Sequence, residues 1–418
     1  MVEFKTYPDY KESGIVWLGD IPDHWEIKKF KHYYVSSMGN TILKEELSED
    51  FETPVYSATE FVEILGYIDN PSVILHRDDF IIPARGNSIG HVKLVVDEEC
   101  TCTQTTIYAK KQYPGRINPS FVYWYQIGLR KKLYEFDNTA IPQLTVRQVK
   151  ENPILVPQMS EQQAIATFLD RETARIDALI QKKERMIELL KEKRIALITQ
   201  AVTKGLDPTV PMKDSGIEWL GEVPEHWDIE KPTRLFRLVK GINAAKLTKE
   251  YISENQGEYP VYSGQTEDDG LMGSIDWYDF DFEIPVIFIT TVGAKAMTTR
   301  IVRGKFSLSQ NCALAIPINS MIDARFFEPT FQRLFDYEKG SISLIMQPSL
   351  RFEDFNHFKI PYPNTIEQQT IAAFIDRETT RIDALSSKVN DSITLLREYR
   401  SSLINAAVTG KIDLRDAL

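Results

Sequence analysis

Apolar residues recur at helical spacing over two long stretches of this chain. In the first they fall at Ile165, Phe168, Leu169, Ile176, Leu179, Ile180, Ile187, Leu190, Leu197 and Ile198. In the second, Ile382, Val389, Leu396 and Leu403 stand at strict intervals of seven, with Leu385 and Ile393 beside them. The first is an amphipathic stripe and the second a coiled-coil seam. Ser160 followed by Gln163 has the spacing of a capping box, and Gly205 and Gly410 are placed to close the two helices. A helix of about 40 residues spans roughly 60 Å at 1.5 Å per residue. Elsewhere the pattern changes to short β-branched and aromatic runs between Gly and Pro. These predict strands at Asp79–Pro83, His91–Val96, Thr105–Ala109, Val286–Thr290 and Ala313–Ile316. Short helices are expected over 119–134 and 324–338.

The two stretches are copies. Residues 161–179 (EQQAIATFLDRETARIDAL) and 367–385 (EQQTIAAFIDRETTRIDAL) agree at 15 of 19 positions, at an offset of 206. Residues 11–27 and 213–229 agree at 11 of 17 positions at an offset of 202, and Pro54-Val-Tyr-Ser57 returns as Pro260-Val-Tyr-Ser263. The segments between these anchors, such as 61–140 against 267–345, have diverged. The chain is therefore a duplicated unit of one globular half and one long helix. The expected fold is α+β, with two mixed α/β halves (1–158 and 207–364) separated by helices in 159–206 and 365–418 and an internal pseudo-two-fold repeat. A seam needs a partner, and a duplicated chain contains one. Antiparallel pairing of the two helices is the expectation; packing of each helix on its own half is the alternative.

Composition narrows the class. With 418 residues, 43% hydrophobic and 26% charged, the chain has the make-up of a globular protein of two domains. Its first residues carry no apolar signal core, and no apolar run approaches the ~20 residues of a membrane span, so a cytoplasmic protein is expected. Cys100, Cys102 and Cys312 fit no zinc or redox spacing and read as reduced structural thiols.

Catalytic signatures are missing or incomplete. Gly304-Lys305 and Gly410-Lys411 are followed by Phe and Ile, so neither ends a phosphate-binding loop. There is no His-Glu-x2-His, and neither a Ser/His/Asp nor a Cys/His set emerges. His24 and His226 occupy matched positions and read as packing residues. Asn118-Pro-Ser-Phe121 resembles the amine-gripping loop of amino-methyltransferases, but it lacks the second proline and a preceding Gly-rich cofactor loop. A turn opening a helix is the better reading. Pro22-Asp23 with Glu26 and Lys28 mimics a nuclease carboxylate set, yet the acids are too close for neighbouring strands and the second copy has Glu230 in place of the lysine.

What remains is loop chemistry at matched positions. Arg85, Asn87 and Ser88 correspond to the segment of Lys295, Thr298 and Arg300. Gln104 and Thr105 align with Gln310 and Asn311. Gln143, Thr145 and Arg147 align with Gln347, Ser349 and Arg351, while Tyr56 and Tyr262 lie in the repeated Pro-Val-Tyr-Ser segments. Arg, Lys, Gln and Asn make the bidentate contacts that distinguish base edges. The net charge of −11 runs against a simple DNA binder. Residues 161–205 hold nine Lys/Arg and seven Asp/Glu, and 367–418 hold seven and eight, which leaves −12 on the rest. Isolated, such a chain has little non-specific affinity for DNA. Lys28, Lys29 and Lys31, Lys110-Lys111, Arg130-Lys-Lys132 and Arg300, Arg303 and Lys305 form local basic clusters that are candidates to face phosphates.

Taken together, the duplicated SGIxWLGxxPxHW segments at 13–25 and 215–227, the PVYS segments and the EQQxIAxFxDRETxRIDAL helices resemble the specificity subunit of a Type I restriction–modification enzyme, over essentially the whole chain. The resemblance implies two target recognition domains, 1–158 and 207–364, each reading one half of a split double-stranded DNA site, and two spacer helices. It implies two modification subunits docked on the helices, for which Gln162, Arg171, Arg175, Gln368, Arg377 and Arg381 are candidates, and a restriction subunit that joins them. It implies no catalysis and no bound cofactor or metal in this chain, with S-adenosylmethionine, ATP and Mg in the partner subunits. Two rivals stand beside it: an acidic DNA mimic, and a single chain with its own methyltransferase.

Overall fold

The computed structural model describes residues 4–58, 64–113, 115–134, 143–264, 270–293, 295–340 and 348–416. Seven α-helices are found among them: α1 (Pro119–Leu133), α2 (Val146–Glu151), α3 (Met159–Lys204), α4 (Pro232–Leu235), α5 (Lys249–Glu254), α6 (Ala324–Gly340) and α7 (Thr365–Val408). The chain forms two compact units, Met1–Glu184 with Asn390–Leu418, and Arg185–Val389. Each unit therefore takes one globular half and parts of both long helices.

In the first unit, one antiparallel sheet runs in the order Tyr34–Met38, Thr106–Lys111, Phe80–Pro83, Lys93–Leu94. A second runs Ile64–Ile68, Thr53–Tyr56, Glu99–Cys102, Leu75–His76, with a parallel pair in the middle. The second unit joins the same plan into one six-stranded sheet: Phe236–Lys240, Cys312–Pro317, Phe280–Thr290, Thr299–Leu308, Gln256–Tyr262, Leu271–Ile275. The join is the ten-residue strand Thr299–Leu308, which occupies the place of both Lys93–Leu94 and Glu99–Cys102. The expected strand His91–Val96 shortens to Lys93–Leu94, next to which Val95 N donates to Asp79 O and Asp78 N to Val95 O.

The long helices pair antiparallel inside each unit. In the first, Glu161 and Gly410 both pack on Trp25, Asp177 meets Arg400 at 2.9 Å, and Glu184 meets Arg397 at 2.9 Å. In the second, Gly205 lies beside Glu367, and Arg194 reaches Asp383 at 3.5 Å. Ile382, Val389, Ile393 and Leu403 are buried as the seam requires, whereas Leu179 and Leu385 are about 40% exposed and lie off it. Ser160 is not a cap. The helix already begins at Met159, and Gln163 turns sideways to Asn118 and Thr167. Gly205 and Gly410 do close the helices, both with positive φ.

The near-identical helix starts are used largely inside each unit. Glu161 is 4% exposed and accepts from Tyr7 Oη at 2.5 Å and Trp25 Nε1 at 3.0 Å, with His24 Nε2 at 2.9 Å. Burial and this carboxylate push the Tyr7 hydroxyl well above its ordinary range. In the second unit Glu367 holds His226 at 3.0 Å and is one-quarter exposed, and Trp227 Nε1 finds no partner among the described residues. The three cysteines are buried and unpaired; burial pushes Cys100 and Cys312 up to about 12 and Cys102 to about 11, so they remain thiols.

Removing the buried Glu161 carboxylate strands three donors, so Glu161→Ala should weaken the first unit by about 3 kcal/mol, and Glu367→Ala the second by about 1 kcal/mol. Hydrogen exchange resolved by unit measures both. Equal losses would contradict this account.

Candidate nucleic-acid interface

Three loops carry most of the candidate reading residues, and backbone hydrogen bonds lace them together identically in both units. Ala84 N donates to Thr105 O at 2.9 Å, as Thr291 N does to Asn311 O at 2.8 Å. Leu144 N donates to Ala84 O at 2.9 Å, as Leu350 N does to Thr291 O at 2.8 Å. Gly90 N closes on Pro83 O and Met297 N on Thr290 O, and Thr103 N on Tyr56 O and Ser309 N on Tyr262 O. Main-chain bonds of this kind do not depend on the side chains, so the frame tolerates divergence while the side chains change. It also corrects the alignment. Leu144 matches Leu350, so Thr145 matches Arg351 and Arg147 matches Glu353.

Each unit brings most of its candidates to this frame. In the first, Arg85, Asn87, Gln104 and Thr145 are exposed, and Thr105 and Gln143 are half-buried. Arg147 is exposed in the first turn of α2, whose cap is the Thr145 side chain accepting from Gln148 N. In the second, Lys295, Gln310, Asn311, Ser349 and Arg351 are exposed and Thr298 is half-buried; Gln347 lies outside the described residues. A groove of about 540 Å³ runs between Lys240, Gly241 and Ala244 on one side and Gln310, Asn311 and Arg351 on the other.

Four candidates sit elsewhere. Ser88 is buried and donates to Ala58 O at 2.9 Å, because its loop curls back on the sheet. Tyr56 is 4% exposed, donates to Asp97 at 2.7 Å and lies under Lys93 Nζ at 5.5 Å. Tyr262 is the same position in the second unit, with Arg300 over its ring at 4.1 Å and over Phe288 at 4.5 Å. The counterpart of Arg300 is therefore Lys93 and not the Arg85 loop: both lie on the strand next to Phe80–Pro83 or its equivalent, and both cap the repeated tyrosine. These pairs brace the sheet under the loops.

The basic clusters are mostly occupied. Lys29 and Lys31 both bond Glu151 at 2.6 Å and hold its carboxyl down to about 2, and Lys28 pairs with Glu26. Lys111 meets Asp78, Arg130 donates to Ile89 O, and Lys305 lies over Tyr259 and Tyr278. Lys131, Lys132 and Arg303 stay exposed.

Among the docking candidates, Gln162 and Gln368 are buried. Gln162 accepts from Asn118 N and donates to Pro157 O; Gln368 accepts from Asp323 N and donates to Pro363 O, all at 2.8–2.9 Å. They pin the helix to its own unit and offer nothing to a partner. Arg171, Arg175, Arg377 and Arg381 are exposed. Leu179 beside the first pair and Leu385 beside the second are exposed as well, so each helix repeats the same Arg, Arg and Leu on one face.

Sequence reasoning missed the segments after Tyr34–Met38 and Phe236–Lys240. A Cβ at Gly39 would strike the carbonyls of Cys102 and Thr103, and one at Gly241 that of Leu308, so both segments press against the reading turn. The signal was present as a glycine at the same offset of 202.

No His/Cys/Asp/Glu group that would hold a metal, and no helix apolar enough to cross a membrane, occurs among the described residues. Two units with the same laced frame and unlike polar side chains present two candidate recognition surfaces, as in a two-domain recognition protein. The model of the Type I restriction modification DNA specificity domain matches residues 22–189 and 224–395, so the chain belongs to that family, whose role is DNA sequence recognition. It is 21% identical to the MjaVIII specificity subunit of Methanocaldococcus jannaschii, covering 95% of each chain, and 21% identical to the EcoDI specificity subunit of Escherichia coli over 72% of this chain and 71% of the relative. Two solved structures share the fold. One is the HsdS subunit from Thermoanaerobacter tengcongensis (TM-score 0.58, 13% identity, 96% of this chain and 100% of that one). The other comes from work on assembly and conformational transition of the type I system (TM-score 0.65, 14% identity, 93% and 98%). None of these comparisons supports a DNA mimic.

Tyr56→Phe is expected to weaken the first unit by about 1 kcal/mol and leave the recognised sequence unchanged, since the tyrosine is a brace. Denaturation together with mapping of methylated sites checks this; a changed motif would return Tyr56 to the reading surface.

Proposed function

We propose that each unit reads one half of a bipartite, asymmetric DNA site with its three laced loops, while the long helices set the number of unread base pairs between the halves and carry the modification subunits. The observation that carries this reading is that the same main-chain frame presents different side chains in the two units: Arg85, Asn87, Gln104 and Thr145 in one, Lys295, Gln310, Asn311 and Arg351 in the other. Two unlike readers suit two unlike half-sites. The chain does no chemistry in this account. Two modification subunits supply S-adenosylmethionine-dependent adenine methylation, and restriction subunits supply ATP- and Mg-dependent translocation and cleavage, all within the cytoplasm.

The net charge of −11 and the engagement of most basic clusters by acids or rings mean that this chain alone holds DNA weakly. Tight binding then comes from the partners, which dock on the outer stripes of α3 and α7. A duplicated stripe of Arg, Arg and Leu offers two equivalent seats, in keeping with two copies of one partner.

Co-expression with the cognate modification subunit and single-molecule mapping of methylated adenines tests the two-reader model. Replacing residues 1–158 with those of a relative should change one half of the motif and leave the other and the gap intact; a continuous motif, or one that survives the swap, would refute it. The paired change Leu179→Glu and Leu385→Glu should weaken association with the modification subunit at least about 10-fold by burying charge in the seats, measured by titration calorimetry. Unaltered association would move the docking site elsewhere.

A further inference from the structure

The two glutamines at the matched reading turn, Gln104 and Gln310, are held differently. In the first unit the segment after Tyr34–Met38 lies along the turn. Asn40 N donates to Cys102 O at 3.0 Å, and Gln104 N donates to Asn40 O at 2.6 Å. This brings Thr41 beside Gln104, and Thr41 Oγ1 donates to Gln104 Oε1 at 2.8 Å. In the second unit the same position, at the offset of 202 that carries Tyr34–Met38 onto Phe236–Lys240, is Asn243. Its Nδ2 donates to Asp279 Oδ1 at 2.6 Å and its backbone N to Asp279 Oδ2 at 3.2 Å. That side chain is committed to Asp279 and does not orient Gln310.

A carboxamide carries one acceptor oxygen and two N–H donors. The paired contact to adenine, N6 and N7, needs the oxygen and the nitrogen to face the base together. With Oε1 accepting from Thr41, the Gln104 NH₂ has no hydrogen-bond acceptor among the described residues. We propose that Thr41 is a positioning residue for base reading: by occupying one lone pair of Oε1 it fixes the Gln104 carboxamide and biases it toward donating its NH₂ to an acceptor edge such as guanine N7 and O6. Gln310 keeps both donor and acceptor for its own base pair. Thr41 and Gln104 are exposed in the free chain, so the bond matters most once DNA excludes water from it. The inference rests on the reading that the turn at Gln104 faces DNA.

The experiment uses the chain assembled with its modification subunit and maps methylated adenines for Thr41→Val, Thr41→Ser and Gln104→Ala. Thr41→Val and Gln104→Ala should lower discrimination about 10-fold at the same single base pair of one half-site, Thr41→Ser should restore it, and the other half should not change. If Gln104→Ala alters that pair while Thr41→Val does not, the proposal is overturned and the loop reading stands. An even loss of methylation at all sites with the motif intact in Thr41→Val would also overturn it. If Gln104→Ala leaves the whole motif intact, the reading on which the proposal rests fails.

Discussion

A buried carboxamide at the start of each long helix fixes the rest of the unit. Gln162 and Gln368 each accept a backbone N–H from the residue that opens the neighbouring head helix, and each donates to a proline carbonyl just before their own helix. Both are almost wholly buried, where an unmet amide is costly and a fully paired one specifies a single arrangement. The pin sets α1 against α3 and α6 against α7, and the tryptophans of the entry segments pack into the corner so formed. In each unit the head helix also packs on strands of the same unit, α1 on Pro153–Val156 and Lys93–Leu94, and α6 on Phe280–Thr290 and Thr299–Leu308.

From this rigid base, conservation and divergence separate along physical lines. The loops are held by main-chain bonds that any sequence can make, and the sheet beneath them is braced by a cation over a tyrosine, Lys93 on Tyr56 and Arg300 on Tyr262. Most exposed side chains on these loops, such as Arg85, Asn87 and Lys295, take no part in that main-chain frame, so they can be exchanged without dismantling it. The exposed Arg171, Arg175 and Leu179 are repeated as Arg377, Arg381 and Leu385, which is the repetition that the proposed docking of two like partners would use.

Much of this was legible from residues alone. The helical periods and the duplicated anchors located α3 and α7 to within a few residues, and the glycines that end them take the expected positive φ. Polar loops at matched offsets pointed to segments that the same main-chain hydrogen bonds hold in both units. The failures share a cause: sequence shows which residue types are present and not which way they face. Strong repetition of the EQQ segment reads as a docking surface, yet Glu161, Gln162 and Gln368 are buried within their own units. Tyr56 and Arg300 have the chemistry of base readers and sit in cation–aromatic pairs on the sheet, and Ser88 is buried against Ala58 O. The Lys28–Lys31 cluster has the charge of a phosphate seat, but Glu151 arrives from 120 residues away to occupy it. Thr41 was invisible because its role depends on a neighbour across the sheet.

The central claim is that two separate loop surfaces each meet a different half of one DNA site. Photo-crosslinking measures this directly: a photoreactive residue placed at position 85 or at position 295, in the assembled complex on DNA carrying the methylated motif, with the crosslinked base identified by sequencing. The account predicts efficient crosslinks from both positions, each confined to its own half of the motif. Crosslinks from both positions to the same half, or to neither, would contradict it.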